Sequence, residues 1–163
     1  MIVIRDMTKN DYDQKGYVHY KSWLETYDGL MDPRFLEKHT LESCIMIANK
    51  YPENTIVAEY NHAIVGFASY NKSRDFDDNR GEIFAIYVLN DYQRVGIGKA
   101  LMDECIKRMN NFESISVWVL YNNQEALKWY EKYGFQRDGK SKSVKVMQDY
   151  GLDEIRMSMN IKR

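Results

Sequence analysis

The segment Gln93 to Gly98, with the sequence Gln-Arg-Val-Gly-Ile-Gly, carries residue types suited to binding an anion. It follows a run of high β propensity, Ile83 to Val88. The apolar residues after it recur at helical spacing: Ile97, Leu101, Cys105, Ile106 and Met109. A glycine turn between a strand and a helix directs backbone N–H groups and the positive end of the helix dipole at one place. Because phosphate is the usual ligand of such a turn, we predict a phosphate-bearing cofactor.

Two familiar phosphate loops do not match this segment. A dinucleotide-binding fingerprint needs glycine or alanine three residues after the second glycine, where Leu101 stands. A P-loop needs glycine five residues before Gly98 and Ser or Thr after Lys99, but the chain has Gln93 and Ala100 there. The glycines alone are also compatible with a tight turn that only leads the chain from strand to helix.

Helices and strands are interleaved around this turn. We predict strands at about residues 2–5, 55–59, 63–70, 83–88, 114–121 and 154–161, and helices at about 9–27, 33–50, 97–109 and 123–133. Asn61 and His62 suit a hairpin turn, and Asn122 or Asn123 suits the N-cap of the last helix. The polar segment 71–80 reads as an exposed loop. This order predicts an α/β or α+β fold around a mixed sheet.

The overall composition narrows the class of protein. The 163 residues suffice for one core, and we expect a single domain over residues 1–163. Lys+Arg 23 against Asp+Glu 24 gives a formal net charge of −1, which argues against nucleic acid or an anionic membrane as a partner. No apolar run approaches the roughly 20 residues of a membrane span, and the N-terminus resembles a strand, not a targeting segment. We therefore expect a cytoplasmic protein.

The cysteines and histidines predict neither a disulfide nor a metal site. Cys44 and Cys105 lie in helix-like apolar patterns, which favours buried thiols in a reducing compartment. None of His19, His39 and His62 has a cysteine or a second histidine at ligand spacing, so we predict no metal.

Two motifs together resemble the GNAT superfamily of N-acetyltransferases. Gln93-x-x-Gly96-x-Gly98 is similar to the acetyl-CoA signature of that family, Q/R-x-x-G-x-G/A, and lies between a strand and a helix as the family requires. The segment Asn123 to Phe135, NQEALKWYEKYGF, resembles the family pattern N-x-x-A-x-x-F-Y-E-K-x-G-F. Trp129 replaces the usual smaller residue, and we expect it to face the core. The resemblance covers about residues 82–135.

The resemblance implies a fold and a cosubstrate. The fold would be GNAT-like, with a mixed, mostly antiparallel central sheet flanked by helices and a splay between two central strands. The cosubstrate would be acetyl-CoA, with no metal. Its pyrophosphate would lie against the turn formed by Arg94, Val95, Gly96, Ile97, Gly98 and Lys99. Its pantetheine arm would pair with the backbone of Ile86, Tyr87 and Val88. Asn123 would cap its helix, bind the pantetheine, or do both. The side chains of Arg94 and Lys99 would add positive charge at the pyrophosphate, or are solvated surface residues.

The chemistry implied is acyl transfer from a thioester to an amine. An alkyl amine is mostly protonated in neutral water, so a base must remove a proton, and the departing thiolate benefits from a proton donor. By the resemblance, Tyr130 is the proton donor; alternatively it is a packed aromatic. Glu82, in the region where some family members carry a catalytic glutamate, is the candidate base. The alternative is that an ordered water is the base and that Glu82 is a solvated carboxylate at the end of a strand.

The acceptor is the least defined part of the prediction. Family members bind it in a groove between the first helices and the loop before the motif strand, which here carry Tyr20, Trp23, Tyr27, Asp28, Asp75, Asp77 and Asp78. These residues suit a cationic amine, or are core aromatics and solvated aspartates. We predict direct transfer to a primary amine of a small molecule or peptide; the alternative is a non-catalytic acetyl-CoA-binding regulatory module. The C-terminal strand completes the sheet or pairs with a second subunit in a homodimer.

Overall fold

Helices and strands follow one another through a computed structural model that describes residues 1–75 and 79–162. The strands are β1 Ile2–Asp6, β2 Thr55–Tyr60, β3 Ala63–Lys72, β4 Gly81–Val88, β5 Ser114–Leu120, β6 Gln136–Met147 and β7 Tyr150–Asn160. The α-helices are α1 Tyr12–Tyr27, α2 Pro33–Leu36, α3 Leu41–Lys50, α4 Ile97–Arg108 and α5 Gln124–Tyr133. Short 3₁₀ turns at Lys9–Asp11 and Asn90–Tyr92 precede α1 and α4. No described helix is long and apolar enough to cross a membrane.

The strands form one sheet in the order β1-β2-β3-β4-β5-β7-β6. Every neighbouring pair is antiparallel except β4 and β5, which are parallel. The predicted mixed, mostly antiparallel sheet is therefore confirmed. β7 lies between β5 and β6, so the C-terminal strand completes the sheet of its own chain.

The parallel strands β4 and β5 separate soon after they meet. Gly81 to Ile83 pair with Ile115 to Val117, yet β4 continues to Val88 and β5 to Leu120. Phe84 is an extra residue opposite β3, because Tyr70 pairs with Ile83 and Ser69 with Ala85. Such a bulge bends the strand. The second half of β4 therefore pairs with β3 alone and leaves a gap toward β5, the splay that the sequence predicts.

The two faces of the sheet are covered by different helices. Phe67 and Ala68 are neighbours in β3 and must point to opposite faces. Ala68 belongs to the apolar cluster that contains Leu101 of α4 and Leu127 of α5. Phe67 belongs to a smaller cluster with Val18 of α1. We call these the α4–α5 face and the α1 face.

The hairpin between β2 and β3 was predicted correctly at its turn. Asn61 and His62 have φ angles of 49° and 71°, the left-handed conformation that a two-residue hairpin turn needs at both positions. Asparagine tolerates this conformation better than most residues.

Two predictions about elements were wrong. Residues 33–50 form two helices instead of one, because Thr40 starts α3 with a capping box: its Oγ1 accepts from Ser43 N at 3.1 Å, and Ser43 Oγ accepts from Thr40 N at 3.3 Å. β6 was not predicted at all. It is an edge strand, mostly exposed and polar, so neither apolar alternation nor a buried run marks it.

Candidate active site

The glycine turn has the geometry of an anion-binding helix start. Gly96 is the N-cap of α4 with φ +91°, and a Cβ placed there would meet nothing within 4 Å. The first helical bond runs from Ala100 N to Gly96 O at 3.0 Å. The N–H groups of Ile97, Gly98 and Lys99 therefore precede the helical ladder and need outside partners. The exposed turn offers open space, backbone donors and the positive end of the helix dipole together.

The side chains of the turn are used in different ways. Gln93 Nε2 donates to Val88 O at 3.1 Å and so ties the turn to the end of β4. Arg94 is exposed and has a φ of 67°. Lys99 Nζ lies 2.7 Å from Asp103 Oδ2, an exposed pair one helical turn further on. Lys99 thus has a protein partner, and Val95 is exposed beside it.

The gap in the sheet lies next to this turn. Ile86, Tyr87 and Val88, which we predict to pair with pantetheine, belong to the half of β4 that has left β5. Their side chains alternate between the faces: Ile86 and Val88 pack on the apolar cluster of the α4–α5 face, and Tyr87 packs on the α1 face. The Val88 carbonyl already accepts from Gln93. The backbone edge that faces the gap is available to an extended ligand.

Tyr130 reaches this region from α5. It is 8% exposed, and its ring packs edge-on against Trp129 and Phe135. Burial raises the pKa of its phenol, and nearby Tyr27 contributes in the same direction. The phenol is thus protonated at neutral pH and able to donate. Because Tyr27 belongs to α1 and Tyr130 to α5, this electrostatic interaction acts between residues of helices on opposite faces of the sheet.

Asn123 caps α5. Its Oδ1 accepts from Ala126 N at 3.1 Å, and the residue is buried. This is the capping role that the sequence predicts. Since the cap uses only the oxygen, the amide nitrogen is the group that a pantetheine contact would need.

Glu82 is fully buried, with 0% exposure. Arg74 N donates to Oε1 at 3.1 Å, and Arg74 Nη2 donates to Oε2 at 2.5 Å. Both carboxylate oxygens therefore bond the same residue, whose guanidinium also lies over the ring of Phe84. The expectation of a solvated strand-end carboxylate does not hold for this side chain.

A match to a known family identifies the chemistry of this arrangement. The sequence model of the Acetyltransferase (GNAT) family matches residues 16–135, more than half of the chain. The chain belongs to the GNAT acetyltransferase family. It is 26% identical over 145 residues to the uncharacterized N-acetyltransferase YuaI of Bacillus subtilis, covering 84% of this chain and 82% of that protein. It is 24% identical over 160 residues to the L-amino acid N-acetyltransferase AaaT of Escherichia coli, covering 96% of both.

A solved structure supports the fold. The PaiA N-acetyltransferase of Thermoplasma acidophilum, crystallised in complex with coenzyme A, aligns with a TM-score of 0.75 at 20% identity, over 98% of this chain and 99% of that one. As a GNAT acetyltransferase, the chain is an acetyl-CoA-dependent N-acetyltransferase. The open turn at Gly96 and the adjoining gap suit a long, extended, phosphate-bearing cosubstrate of this kind.

Trp129 does not face the core of this GNAT domain as expected. It is 36% exposed, its ring lies 3.3 Å from the Cβ position of Gly98, and it stacks on Tyr133. A large aromatic at this position covers the outer side of the turn because Gly98 leaves room for it.

The predicted acceptor groove is only partly assembled. Tyr27 OH lies 3.2 Å from Tyr87 OH on the α1 face. Trp23 stacks on His39, with ring centroids 4.1 Å apart, and also meets Tyr27 edge-on at 5.0 Å. Tyr20 stacks on the same His39 ring. Asp28 is exposed at the end of α1. These aromatics serve mainly to pack α1 against the segment before α3.

The loop aspartates differ from the expectation as well. Asp75 is not a free anion in the groove, because its Oδ2 accepts from Trp118 Nε1 at 3.0 Å and lies 3.4 Å from Arg156 Nη1. Asp77 and Asp78 lie outside the described residues. Asp75 therefore anchors the loop before β4 to the sheet.

Two residues at this site were missed in the sequence. Tyr87 was expected to contribute only its backbone, yet its hydroxyl lies 3.2 Å from that of Tyr27 in a partly buried contact. Glu154 was taken only as the start of a strand, but it shares the α1 face with Glu82. Burial raises the pKa of Glu154, Lys142 and Arg74 oppose the shift, and Glu82 adds to it. The signal in the sequence that could have singled out Glu154 is a carboxylate at the start of a strand whose apolar residues alternate.

Proposed function

We propose that the chain transfers the acetyl group of acetyl-CoA directly to a primary amine of a small molecule or peptide. The observation that carries this proposal is the gap after Ile83, which has the anion-binding turn at one end and a buried tyrosine beside it. A covalent acyl-enzyme is not needed, because an amine that enters the gap can attack the thioester itself. We further propose that residues 1–163 act as one acetyltransferase domain in the cytoplasm.

The donor would be held mainly by backbone. The N–H groups of Arg94 to Lys99 would bind the pyrophosphate, and Ile86 to Val88 would pair with the pantetheine arm. Support comes from the open space at Gly96 and from the half of β4 that no longer pairs with β5. Asn123 would contribute its amide nitrogen.

The reaction needs three proton transfers. The ammonium of the acceptor loses a proton, its nitrogen attacks the thioester carbon, and a tetrahedral intermediate forms. When the C–S bond breaks, the Tyr130 phenol protonates the coenzyme A thiolate and regains a proton from the amide nitrogen. The high pKa of the buried phenol supports this role, because Tyr130 enters each cycle protonated.

Glu82 is the proton acceptor that the sequence nominates. To act in this way it would have to release a hydrogen bond from Arg74, since both of its oxygens are bonded. Glu82→Gln tests the role through the pH dependence of kcat/KM. If turnover and the acid limb both persist, Glu82 is not the base.

The acceptor class follows from the α1 face and from the relatives. The relative AaaT acts on L-amino acids, and the NatC complex, a structural neighbour with a TM-score of 0.66, was solved with a peptide and CoA. Tyr27, Tyr87 and Glu154 present two hydroxyls and a carboxylate, a set that suits an ammonium group. Sedimentation would test whether the chain forms a homodimer. β7 pairs with β5 and β6 of its own sheet and so has no free edge for a second subunit.

A panel of amines tests the function as a whole. Release of free coenzyme A thiol would be measured with acetyl-CoA and, separately, polyamines, aralkylamines, L-amino acids and N-terminal peptides. We expect turnover with at least one class. Tight coenzyme A binding with no turnover on any amine would instead favour a non-catalytic regulatory module.

A further inference from the structure

Two carboxylates share the α1 face but lie at opposite ends of the gap. Glu82 pairs in register with Ser116, where β4 and β5 are still hydrogen-bonded. Glu154 pairs with Leu120, which is three residues beyond the last β4–β5 pair. Glu82 is thus at the closed end of the gap and Glu154 at the open end.

The two carboxylates also differ in what they already bond. Both oxygens of Glu82 bond Arg74, and the side chain has no exposed surface. The side chain of Glu154 is 25% exposed, and its ion-pair partner within residues 1–75 and 79–162 is Lys142, at 3.9 Å. That distance is too long for a hydrogen bond. Lys142 is held elsewhere, because its Nζ lies 4.1 Å over the ring of Trp118. Glu154 therefore keeps lone pairs for an incoming group.

Glu154 belongs to a cluster that crosses the sheet. Its charge helps to raise the pKa of both Tyr27 and Tyr87, whose main cause is burial. Tyr130, which comes from the opposite face, acts on Tyr87 in the same way. The hydroxyls of Tyr27 and Tyr87 lie 3.2 Å apart, and the charges of Glu154 from β7 and Tyr130 from α5 both act on this pair.

The geometry points to Glu154 as the catalytic base of the acetyl transfer proposed above, with Glu82 holding Arg74 in place. The acceptor's ammonium gives its proton to the Glu154 carboxylate, and the neutral nitrogen then attacks the thioester carbon from the α1 face. After the C–S bond breaks and the coenzyme A sulfur is protonated, Glu154 releases its proton to solvent. The sum is one amine cation and acetyl-CoA giving one amide, coenzyme A and one proton.

The environment of Glu154 suits this role. Burial raises its pKa and makes it a stronger base than a solvated carboxylate. The charges that face it are Lys142 of β6, Arg74 of the loop before β4 and Glu82 of β4, with the hydroxyls of Tyr27 and Tyr87. The two cations oppose the effect of burial and favour the ionised form, which is the form that accepts a proton.

The test compares Glu154→Gln, Glu82→Gln and the control Glu113→Gln, an exposed residue immediately before β5. For an amine active in the panel, we expect Glu154→Gln to lower kcat/KM at pH 7 by about 10²–10⁴-fold. The acid limb set by the carboxylate should be lost, and activity should instead rise with pH toward the pKa of the amine. Glu82→Gln should keep the acid limb, and Glu113→Gln should match the wild type. Calorimetry with coenzyme A should give the same Kd for all four proteins.

A second substrate separates proton removal from a structural role. The alkoxyamine isostere of the active amine, O-benzylhydroxylamine in place of phenethylamine for example, is neutral at pH 7 and needs no base before attack. We expect Glu154→Gln to leave its rate within a few-fold of wild type. Equal losses on both substrates, or an acid limb that persists in Glu154→Gln and vanishes in Glu82→Gln, would overturn the inference. Wild-type protein that releases no coenzyme A with any amine would overturn the proposed function itself.

Discussion

The two faces of the sheet bury different kinds of side chain. The α4–α5 face buries an apolar cluster in which Leu101, Leu127 and Met157 are almost completely inaccessible. The α1 face buries Lys15, Glu82 and Arg156, and half-buries His19. An apolar face is specified by periodicity, whereas buried charges depend on partners that come from distant parts of the chain. The helices of the two family motifs lie on the first face, and the carboxylates proposed to act on the acceptor lie on the second.

Apart from the carboxylate variants above, the largest effect should follow from removing the proton donor proposed on α5. Tyr130→Phe keeps the ring and its packing against Phe135 but deletes the hydroxyl. We expect kcat to fall by about 10²-fold or more, with the coenzyme A Kd unchanged. Steady-state kinetics and calorimetry measure the two quantities. An unchanged kcat would remove Tyr130 from the chemistry and leave it as packing.

Gly96→Ala should weaken the cosubstrate side selectively. A non-glycine residue at φ +91° costs about 1–2 kcal/mol, and its Cβ would stand where a phosphate approaches the backbone. We expect the Kd for coenzyme A to rise about 10-fold.

Gly139 provides a matched control for that substitution. It has the same φ of +91° and equally open space, but lies in β6, far from the turn in sequence. Gly139→Ala should lower the free energy of unfolding by a similar amount and leave the Kd unchanged. Equal changes in Kd for the two variants would show that strain, not cosubstrate contact, explains the effect at Gly96.

The α1 face should be the acid-sensitive one. Burial lowers the pKa of His19 to about 3, with help from the charges of Lys15 and His39. Between pH 6.5 and about 3 the unfolded chain binds the extra proton, so stability falls as pH falls through that window. Between pH 7.5 and 5.5, we expect the unfolding free energy of His19→Phe to fall by about 1 kcal/mol less than that of the wild type.

Urea titrations of both proteins at these two pH values measure the difference. The same loss in His19→Phe as in the wild type would assign the acid sensitivity to other groups. A substitution on the α4–α5 face, such as Leu101→Met, should leave the pH dependence as it is in the wild type.

The smallest effect should come from the cap of α5. Asn123→Ala removes the acceptor for Ala126 N, and we expect a loss of about 1 kcal/mol in unfolding free energy. Asn123→Asp keeps a capping oxygen and should restore stability. If the amide nitrogen also binds pantetheine, the Kd for coenzyme A should rise in both variants. A Kd that is unchanged in both would limit Asn123 to capping.

Much of the glycine turn and of the helices that follow both motifs could be predicted from the sequence because their determinants are local. The glycines of the turn, the helical spacing from Ile97 and the asparagine cap act within a few residues of one another. The hairpin at Asn61 is equally local. By contrast, β6 was missed because its pairing with β7, not its own polar sequence, makes it a strand.

The acceptor side could not be predicted because it depends on contacts between distant residues. Asp75 looked like a solvated anion, but Trp118 and Arg156 lie 43 and 81 residues away and bond it. Glu82 follows a glycine at a strand start, where a solvated carboxylate is an ordinary expectation, but it is buried and Arg74, eight residues earlier, bonds both of its oxygens. No short-range pattern encodes either partnership.

By itself, the sequence determined the family, the sheet class and the cosubstrate of this protein, because short motifs and periodicity carry that information. Only the tertiary structure decided which carboxylate stands open at the gap and which is held by an arginine. The physical reason is that the environment of an ionisable group depends on burial and on partners from other strands. Glu82 and Glu154 are the same residue type, and the folded sheet alone makes them different.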